Sequence, residues 1–391
     1  MKKITWIISG LILFTLLFIS CTDDNKKDNE ENFDFSGYIV SPYKNVNWST
    51  FGQYKASLHT HTTNSDGLQK LDEVIETLYA RNYDILAITD HSSVAQVTTK
   101  DWVSERNGLT QERYEVIAAG SDRNGRGMLM IPDTSEQLAT GNREEFNAFF
   151  FPTETSGINT YNIKLNAVEE ANGLAFINHP GRATGGNGGD MEPKDWFAGE
   201  AASYTLTHIN RYTDLFLNYP SLIGMEIINK KDGESLSDRI LWDNILAETI
   251  PQGKYVWGFA NDDSHNINEV GVNYNMFVMK ENTLEEFRSA MINGNFYAVA
   301  RVARRELGNT FEGTGDLPRI TNIAVNGPTI TITAINQDSI KWVNELGEFH
   351  SGNSINVTKY SNIIDSYIRA YISGPGGIIF TQPFGVKWEA E

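Results

Sequence analysis

Cysteine is all but absent: Cys21 is the only one in 391 residues. A lone cysteine can form no internal disulfide, so no covalent cross-link supports this fold. Positive charge is also scarce. Lysine and arginine total 32 against 50 aspartates and glutamates, giving a formal net charge of −18. Binding to a nucleic-acid backbone requires a basic footprint, so this balance argues against nucleic acid as a partner. A small anionic substrate stays open, because bound metal ions can reverse the local sign of a site. Histidine is rare as well, with seven in the chain, and its placement is therefore informative.

Long apolar runs are missing except near the start. Lys2 and Lys3 precede an apolar stretch from Ile4 to Ile19, then Ser20 and Cys21. A basic segment, a short apolar core and small residues form a secretory signal pattern, too short for a membrane span. Cys21 stands where the signal would be cut, which resembles a bacterial lipoprotein lipobox with Phe18 in place of the usual leucine. Residues 22–34, "TDDNKKDNEENFD", are polar and cannot bury a core. Acidic residues after the cysteine resemble the surface-export signals of Bacteroidetes lipoproteins. The expectation is a signal peptide over 1–20, lipidation at Cys21 and a flexible acidic tether over 21–45. The protein would then be an outer-membrane lipoprotein, at the cell surface or facing the periplasm, touching membrane only through its anchor.

From Lys55 to Ala300 short apolar runs end in polar residues of the kind that bind metals. "YKASLHTH" ends in His59 and His61, "YDILAITDH" in Asp90 and His91, and "YEVIAAGSD" in Asp122. "GLAFINHPGR" leads to His179 and Arg182, "LIGMEIIN" carries Glu226, and "YVWGFANDDSH" ends in Asp262, Asp263 and His265. Continuous apolar runs suit strands buried on both faces. Helical patterns lie between several of them. Leu71, Val74, Ile75 and Leu78 share one face, and "NIKLNAVEEANG" stops at Gly173. "SDRILWDNILAET" carries a stripe of Ile240, Leu241, Ile245 and Leu246. Thr283 and Glu286 have capping-box spacing ahead of Gly294. Alternating strands and helices mean β/α units, with functional residues at strand C-terminal ends in a barrel or an open sheet alike. Residues 101–160 do not fit and read as an insertion near the site. From about Leu317 onward the chain is rich in β-branched and aromatic residues punctuated by Asn-Gly and Gly-Pro-Gly-Gly, an all-β sandwich.

His59 and His61, two apart on a strand, point to the same face and could grip one ion. Asp66, His91, Asp122, His179, Asp263 and His265 are the further ligand candidates. A mixed histidine and carboxylate set suits zinc, manganese or iron, two or more ions together. Glu226 sits mid-strand in an apolar run, where an unpaired carboxylate is costly, so it should face the site as a supporting group or as a base. Arg182 is either an anion clamp or a surface residue. Asp90 and Asp262 read as orienting groups. His208 lies outside these motifs, and His350 reads as structural. Trp196, Trp242 and Trp257 read as core rather than as sugar-stacking platforms.

In this order, "HTHTTNSDG", "ITDHSS", "INHPGR" and "DDSH" resemble the successive motifs of the PHP (polymerase and histidinol phosphatase) superfamily, over roughly residues 54 to 300. "FRSAMINGNFYAV" and "IIFTQPFGV" resemble the domain end and last strand of one phosphoesterase-like branch. The resemblance implies a distorted (β/α)7 barrel over 46–305 and an all-β domain over 317–391. It implies that His59, His61 and Asp263 hold one metal, that Asp66, His91 and His265 hold another, and that His179 is a ligand too. Asp122 stands where the family has a bridging glutamate, and Met128 where it often has a further histidine. This departure implies one or two divalent ions rather than three. The activity implied is a metal-dependent hydrolase, a phosphoesterase, with Arg182 and Glu226 as catalytic residues. Two alternatives stand beside it, the first of them suggested by the departure. One is a metal-dependent lyase or dehydratase acting on acidic, uronate-containing oligosaccharides in surface polysaccharide degradation. The other is a non-enzymatic glycan-binding lipoprotein. The expected partner is a small anionic or carbohydrate substrate, and the sequence does not specify an oligomeric state.

Overall fold

The computed structural model describes residues 38–92, 102–103, 108–139, 144–152, 160–184 and 200–388. The expected signal peptide, Cys21 and Trp196 lie outside the described residues. The expected tether extends to residue 45, yet strand β1 (Tyr38–Val40) falls within it and Tyr43 is buried. The Tyr43 hydroxyl donates to the Phe296 carbonyl at 3.0 Å and accepts from the Gln382 amide at 2.9 Å, which ties this segment into the core.

Three parallel strands open the first large sheet: β2 (Gly52–Ser57), β3 (Ile85–Leu86) and β4 (Leu129–Met130). On the other side of β2 run β10 (Asn273–Met279) and β11 (Phe296–Ala300), both antiparallel. A second sheet holds β5 (Ser135–Ala139), β6 (Glu144–Phe149), β7 (Leu174–Ile177), β8 (Leu222–Asn229) and β9 (Trp257–Asn261). Its first two pairings are antiparallel and its last two parallel. All eight residues of β8 are buried, as a strand covered on both faces requires. Two isolated parallel bridges join the two sheets, Thr60 to Ser264 and His91 to Glu136. Phe176, Phe259 and Phe296 fill the space between, with the Phe176 and Phe259 rings stacked at 4.4 Å.

Helices form where the spacing predicts them. Leu71, Val74, Ile75 and Leu78 are the buried stripe of α1 (Leu71–Ala80). The others include α3 (Tyr161–Glu170), α4 (Gly181–Thr184), α5 (Glu200–Asn218) and α6 (Asp238–Thr249), with α8 (Arg304–Leu307) following β11. The Thr283 hydroxyl caps α7 (Leu284–Asn293) by accepting from the Glu286 amide at 3.3 Å. One segment departs from expectation. "YEVIAAGSD" is not a strand but most of helix α2 (Gln111–Ala119) and the turn after it. Thr110 accepts from the Arg113 amide at its start, and Gly120 ends it in the left-handed region at φ 65°. Both caps satisfy backbone groups that a helix end leaves open. None of these helices is long and apolar enough to cross a membrane.

The β-rich C-terminal region does form two layers. Strands β12 (Arg319–Asn326), β13 (Thr329–Ile335) and β16 (Ser354–Asn356) make one sheet. Ile320, Ile330, Ile332 and Ile355 share one core with Trp342 and Ile372. Those last two belong to β14 (Ser339–Asn344) and β17 (Tyr367–Gly374), and β15 (Gly347–Ser351) pairs with β14. The second layer is not a separate sheet. β18 (Gly377–Phe380) pairs with both β17 and β11, so hydrogen bonding runs unbroken from β17 into the first large sheet. β17 also pairs with β19 (Phe384–Lys387), and β19 with β1. A buried Arg369–Asp243 ion pair, two contacts of 2.6 Å, further joins β17 to α6. The described residues thus fall in one compact unit.

Candidate metal centre

The site lies where the two bridges join the sheets. His59 and His61 follow β2, His91 follows β3, Glu136 is on β5 and Glu145 on β6. His179 follows β7, Glu226 is on β8, and Asp263 and His265 follow β9. Asp66 comes from the turn after His61, a turn held by the Gly67 amide donating to Thr62 at 2.9 Å. Asp90 orients the same turn, accepting from the Thr62 amide, the Thr62 hydroxyl and the Ser65 hydroxyl at 2.7 Å each. Asp262 accepts from the amides of Gly271, Val272 and Asn273 and so holds the loop after β9. His179 (φ 25°) and Asp263 (φ 47°) both adopt the left-handed region, which costs a non-glycine residue about 1–3 kcal/mol and persists only where the surroundings hold it.

Their ligand atoms converge. Nε2 of His59 lies 3.3 Å from both Glu136 and Asp263, and Nε2 of His61 lies 3.3 Å from Glu136 and 3.4 Å from Asp263. Oδ2 of Asp66 is 3.4 Å from Nε2 of His91 and 3.3 Å from Nε2 of His265. Nε2 of His179 is 3.5 Å from both Glu136 and Glu145, and Nδ1 of His91 is 3.2 Å from Glu136 and 3.8 Å from Glu145. Atoms bound about 2.1 Å from a tetrahedral ion stand about 3.4 Å from one another, so these separations match the edges of coordination polyhedra. Nε2 of His59 and Nε2 of His61 are buried without a hydrogen-bond partner. Buried polar atoms without partners are costly, and a cation among them removes the cost. Glu136 reaches four histidines through two oxygens, the position of a bridging carboxylate.

Glu226 is fully buried behind this centre and accepts four hydrogen bonds. They come from His59 Nδ1 (2.8 Å), the His179 amide (2.8 Å), Asn229 Nδ2 (2.9 Å) and Asn261 Nδ2 (2.8 Å). The carboxylate therefore places a proton on His59 Nδ1 and turns Nε2, with its lone pair, toward the centre. Asn178 supports Glu136 similarly, at 2.5 Å.

The electrostatics show how strongly the centre attracts positive charge. Burial disfavours a charged His59, yet Asp263, Glu136 and Glu226 outweigh it and hold its pKa well above the ordinary histidine range. Burial likewise opposes protonation of His61, but Asp263 and Glu136 raise it to about 9. Burial pushes Glu136 and Asp263 up, and the surrounding imidazoles bring both well below the carboxylate range. Glu145 is raised, by burial and then by Glu136. Protons hold in these imidazoles the place that a metal cation takes when it binds.

Seven of the candidate ligands meet at this centre: His59, His61, Asp66, His91, His179, Asp263 and His265. Asp122 does not. It is exposed on the turn after α2, bonded to Arg113 at 2.8 Å and to Tyr79. Met128 is buried in the apolar core rather than at the site. Two other carboxylates, Glu136 and Glu145, lie beside the histidines instead. Neither was anticipated, as both lie in the stretch read as an insertion. Arg182 faces the centre, bonded to Asp263 Oδ2 at 2.8 Å and to Glu234 at 2.6 Å. With Lys230 and Glu234 it lines an open cleft of about 410 Å³ above the ligands. Glu226 lies beneath them and does not line that cleft. Trp242 and Trp257 donate to the Val256 and Ile292 carbonyls from the core. His208 lies on α5, outside every ligand group formed by the described residues. His350 is held by Tyr360 at 2.9 Å and the Ser354 carbonyl at 3.1 Å.

No family model matches the chain. Over 88 residues it is 38% identical to the DNA polymerase/3'-5' exonuclease PolX of Bacillus subtilis, a match covering 22% of this chain and 14% of that protein. Among solved structures it is similar to a two-domain protein from Bacteroides vulgatus containing a predicted PHP-like metal-dependent phosphoesterase. That match has a TM-score of 0.45 and 14% identity, over 88% of this chain and 89% of the other. It is also similar to the lesion-specific endonuclease EndoQ of Pyrococcus furiosus, at TM-score 0.37 and 16% identity over 62% and 56% of the two chains. In its ordered ligand motifs and its sequence match, the chain is similar to the PHP superfamily of metal-dependent phosphoesterases.

Proposed function

We propose that this protein is a metal-dependent hydrolase of the PHP type that cleaves a phosphate ester. The observation that carries this is the gathering of nine ligand side chains in one cluster (Glu136 with His59, His61, Asp66, His91, Glu145, His179, Asp263 and His265), drawn from six strands, β2, β3, β5, β6, β7 and β9, or the turns that follow them. We read the seven strands β2, β3 and β5 to β9, linked by the two bridges, as a distorted barrel. We read the ligands as three positions: His59, His61 and Asp263; Asp66, His91 and His265; and Glu145 with His179. Glu136 serves more than one of them. Zinc, manganese or iron suits this nitrogen and oxygen set.

Divalent ions held by these residues would supply Lewis acidity to a phosphoryl group and to an attacking water. The chain's own residues do the rest. Glu226 and Asn178 fix the orientation of the ligands. Arg182 stands at the cleft wall, where its planar donors can take two oxygens of a phosphate. The lyase reading drew on the lipoprotein pattern and on Asp122 and Met128 as an altered metal position; the place of Glu136 and Glu145 beside the histidines favours the hydrolase over it. The gathered ligand set also favours an enzyme over the purely glycan-binding reading.

We further propose export as a lipoprotein anchored at Cys21, on the strength of the amino-terminal pattern, and a small anionic substrate rather than nucleic acid, on the strength of the acidic balance. The test is elemental analysis of the purified protein together with phosphate release from a panel of mono- and diesters. We expect about three divalent ions per chain and hydrolysis abolished by chelation. A metal-loaded protein that cleaves no ester in the panel refutes the proposal.

A further inference from the structure

We propose that Lys230 is a second anion-positioning residue, forming with Arg182 a two-cation clamp that selects a terminal, dianionic phosphate over a diester. This rests on the hydrolase reading above. The two oxygens of Asp263 divide their neighbours. Oδ1 faces the imidazoles of His59, His61 and His265 at 3.3–3.5 Å. Oδ2 faces Arg182 Nη2 at 2.8 Å and Lys230 Nζ at 3.5 Å, with His179 Nε2 farther off at 3.9 Å. Two cations thus converge on one oxygen at the edge of the ligand cluster, and both line the open cleft. A metal ion bound through Asp263 would draw on that carboxylate's charge and leave Lys230, and the guanidinium nitrogens of Arg182 not engaged by Glu234, to pair with a substrate.

The lysine's direction is built into the fold. Lys230 sits in the left-handed region at φ 50°. Its amide donates to the Asn261 carbonyl at 3.1 Å, and its carbonyl accepts from Asn273 Nδ2 at 2.5 Å. On one side, buried Asn229 is bonded to Glu226 and to the Ser235 hydroxyl. On the other, buried Asp232 is paired with Arg239 at 2.6 and 2.8 Å. The backbone on both sides is therefore fixed, while the Lys230 side chain remains 41% exposed toward the cleft. Its neighbour Lys231 is exposed and is not among the residues that line the cleft. A phosphate monoester offers three terminal oxygens and a second negative charge, enough for the ions and both cations at once. A diester offers two oxygens and one charge.

The test uses the full, metal-loaded protein with Lys230→Met, Lys230→Arg and Lys231→Met. Three quantities are measured: metal content, affinity for inorganic phosphate by calorimetry, and kcat/KM for phenyl phosphate against bis(p-nitrophenyl) phosphate. A charge-assisted contact of this kind predicts that Lys230→Met weakens phosphate binding about tenfold or more. The monoester-to-diester ratio should fall alongside, with metal content unchanged. Lys230→Arg should retain most of the affinity, and Lys231→Met all of it. Phosphate bound equally by the wild type and Lys230→Met overturns the clamp and leaves the hydrolase reading standing. Loss of metal together with phosphate affinity makes Lys230 a structural residue of the centre and overturns the clamp as well. A wild type that binds no phosphate and cleaves no ester removes both.

Discussion

Replacing Glu226 with glutamine changes one atom and little volume, yet it should disable part of the centre. The carboxylate accepts from His59 Nδ1 and Asn261 on one oxygen and from the His179 amide and Asn229 on the other. An amide offers one acceptor and one donor group, so in either orientation two donors face an NH₂. If the NH₂ faces His59, the imidazole loses the acceptor that keeps its proton on Nδ1, and Nε2 ceases to be a dependable ligand. If it faces His179, the strained backbone there loses its anchor. Removing such a supporting partner typically costs about 10–100-fold in metal affinity, which is about 1.4–2.7 kcal/mol. The buried donors left unsatisfied should cost a further 1–3 kcal/mol or so of folding stability. Competition with a graded series of chelators, read by elemental analysis, measures the first quantity, and thermal unfolding of the metal-free protein the second. If Glu226 were instead a general base, kcat would fall about 10²–10⁴-fold with metal affinity intact. That outcome, or wild-type affinity with wild-type activity, would refute the supporting role.

Glu136→Gln should strip more than one ion and abolish hydrolysis, because that carboxylate reaches four histidines. Asp122→Ala should leave metal content and kcat/KM unchanged, and a loss of either would reinstate Asp122 as a ligand. Asp243→Asn breaks a buried pair with Arg369 and should lower unfolding stability by about 3–5 kcal/mol, as measured by denaturant titration. The pH dependence follows from His61, raised in the folded metal-free protein to about 9 from an ordinary 6.5. A raised histidine stabilises the fold fully below the unfolded pKa and loses that contribution as pH rises through the folded one. The melting temperature of chelated protein should therefore fall between about pH 6.5 and pH 9, whereas metal-loaded protein, its imidazoles neutral on the ions, should lack this contribution.

The sequence exposes the part of the centre whose ligands interrupt apolar strands. His59, His91, His179 and Asp263 stand out because each follows a run of buried residues and belongs to a compact polar motif. Glu136 and Glu145 have no such contrast. They lie within β5 and β6, an antiparallel pair whose buried residues include Glu136, Gln137 and Asn147. Where a strand lines a metal site, its interior face is polar, and the apolar signal that marks a strand is lost there. The assignment of Asp122 failed for a different reason. "EVIAA" has the look of a short strand, while the evidence against it, Thr110 and Gly120 as helix caps, lies outside the run. The stripe on α1 was legible because that helix is amphipathic over several turns, and α7 was legible from its caps, Thr283 and Gly294. The continuity between β11 and β18 was not, because strand pairing across a long separation leaves no local trace.

That continuity, together with the pairing of β1 and β19, bears on the order in which the fold can form. β1 gains its described strand neighbour only when residues near 384–387 are present, and without β18 the edge of β11 stands open. An open strand edge invites pairing with another chain, and contacts between distant parts of a sequence form slowly. A chain shortened within its last strands should therefore do more than lose a peripheral layer. It should collect as aggregate, with the metal-binding half held short of its native state for want of the strands that close it.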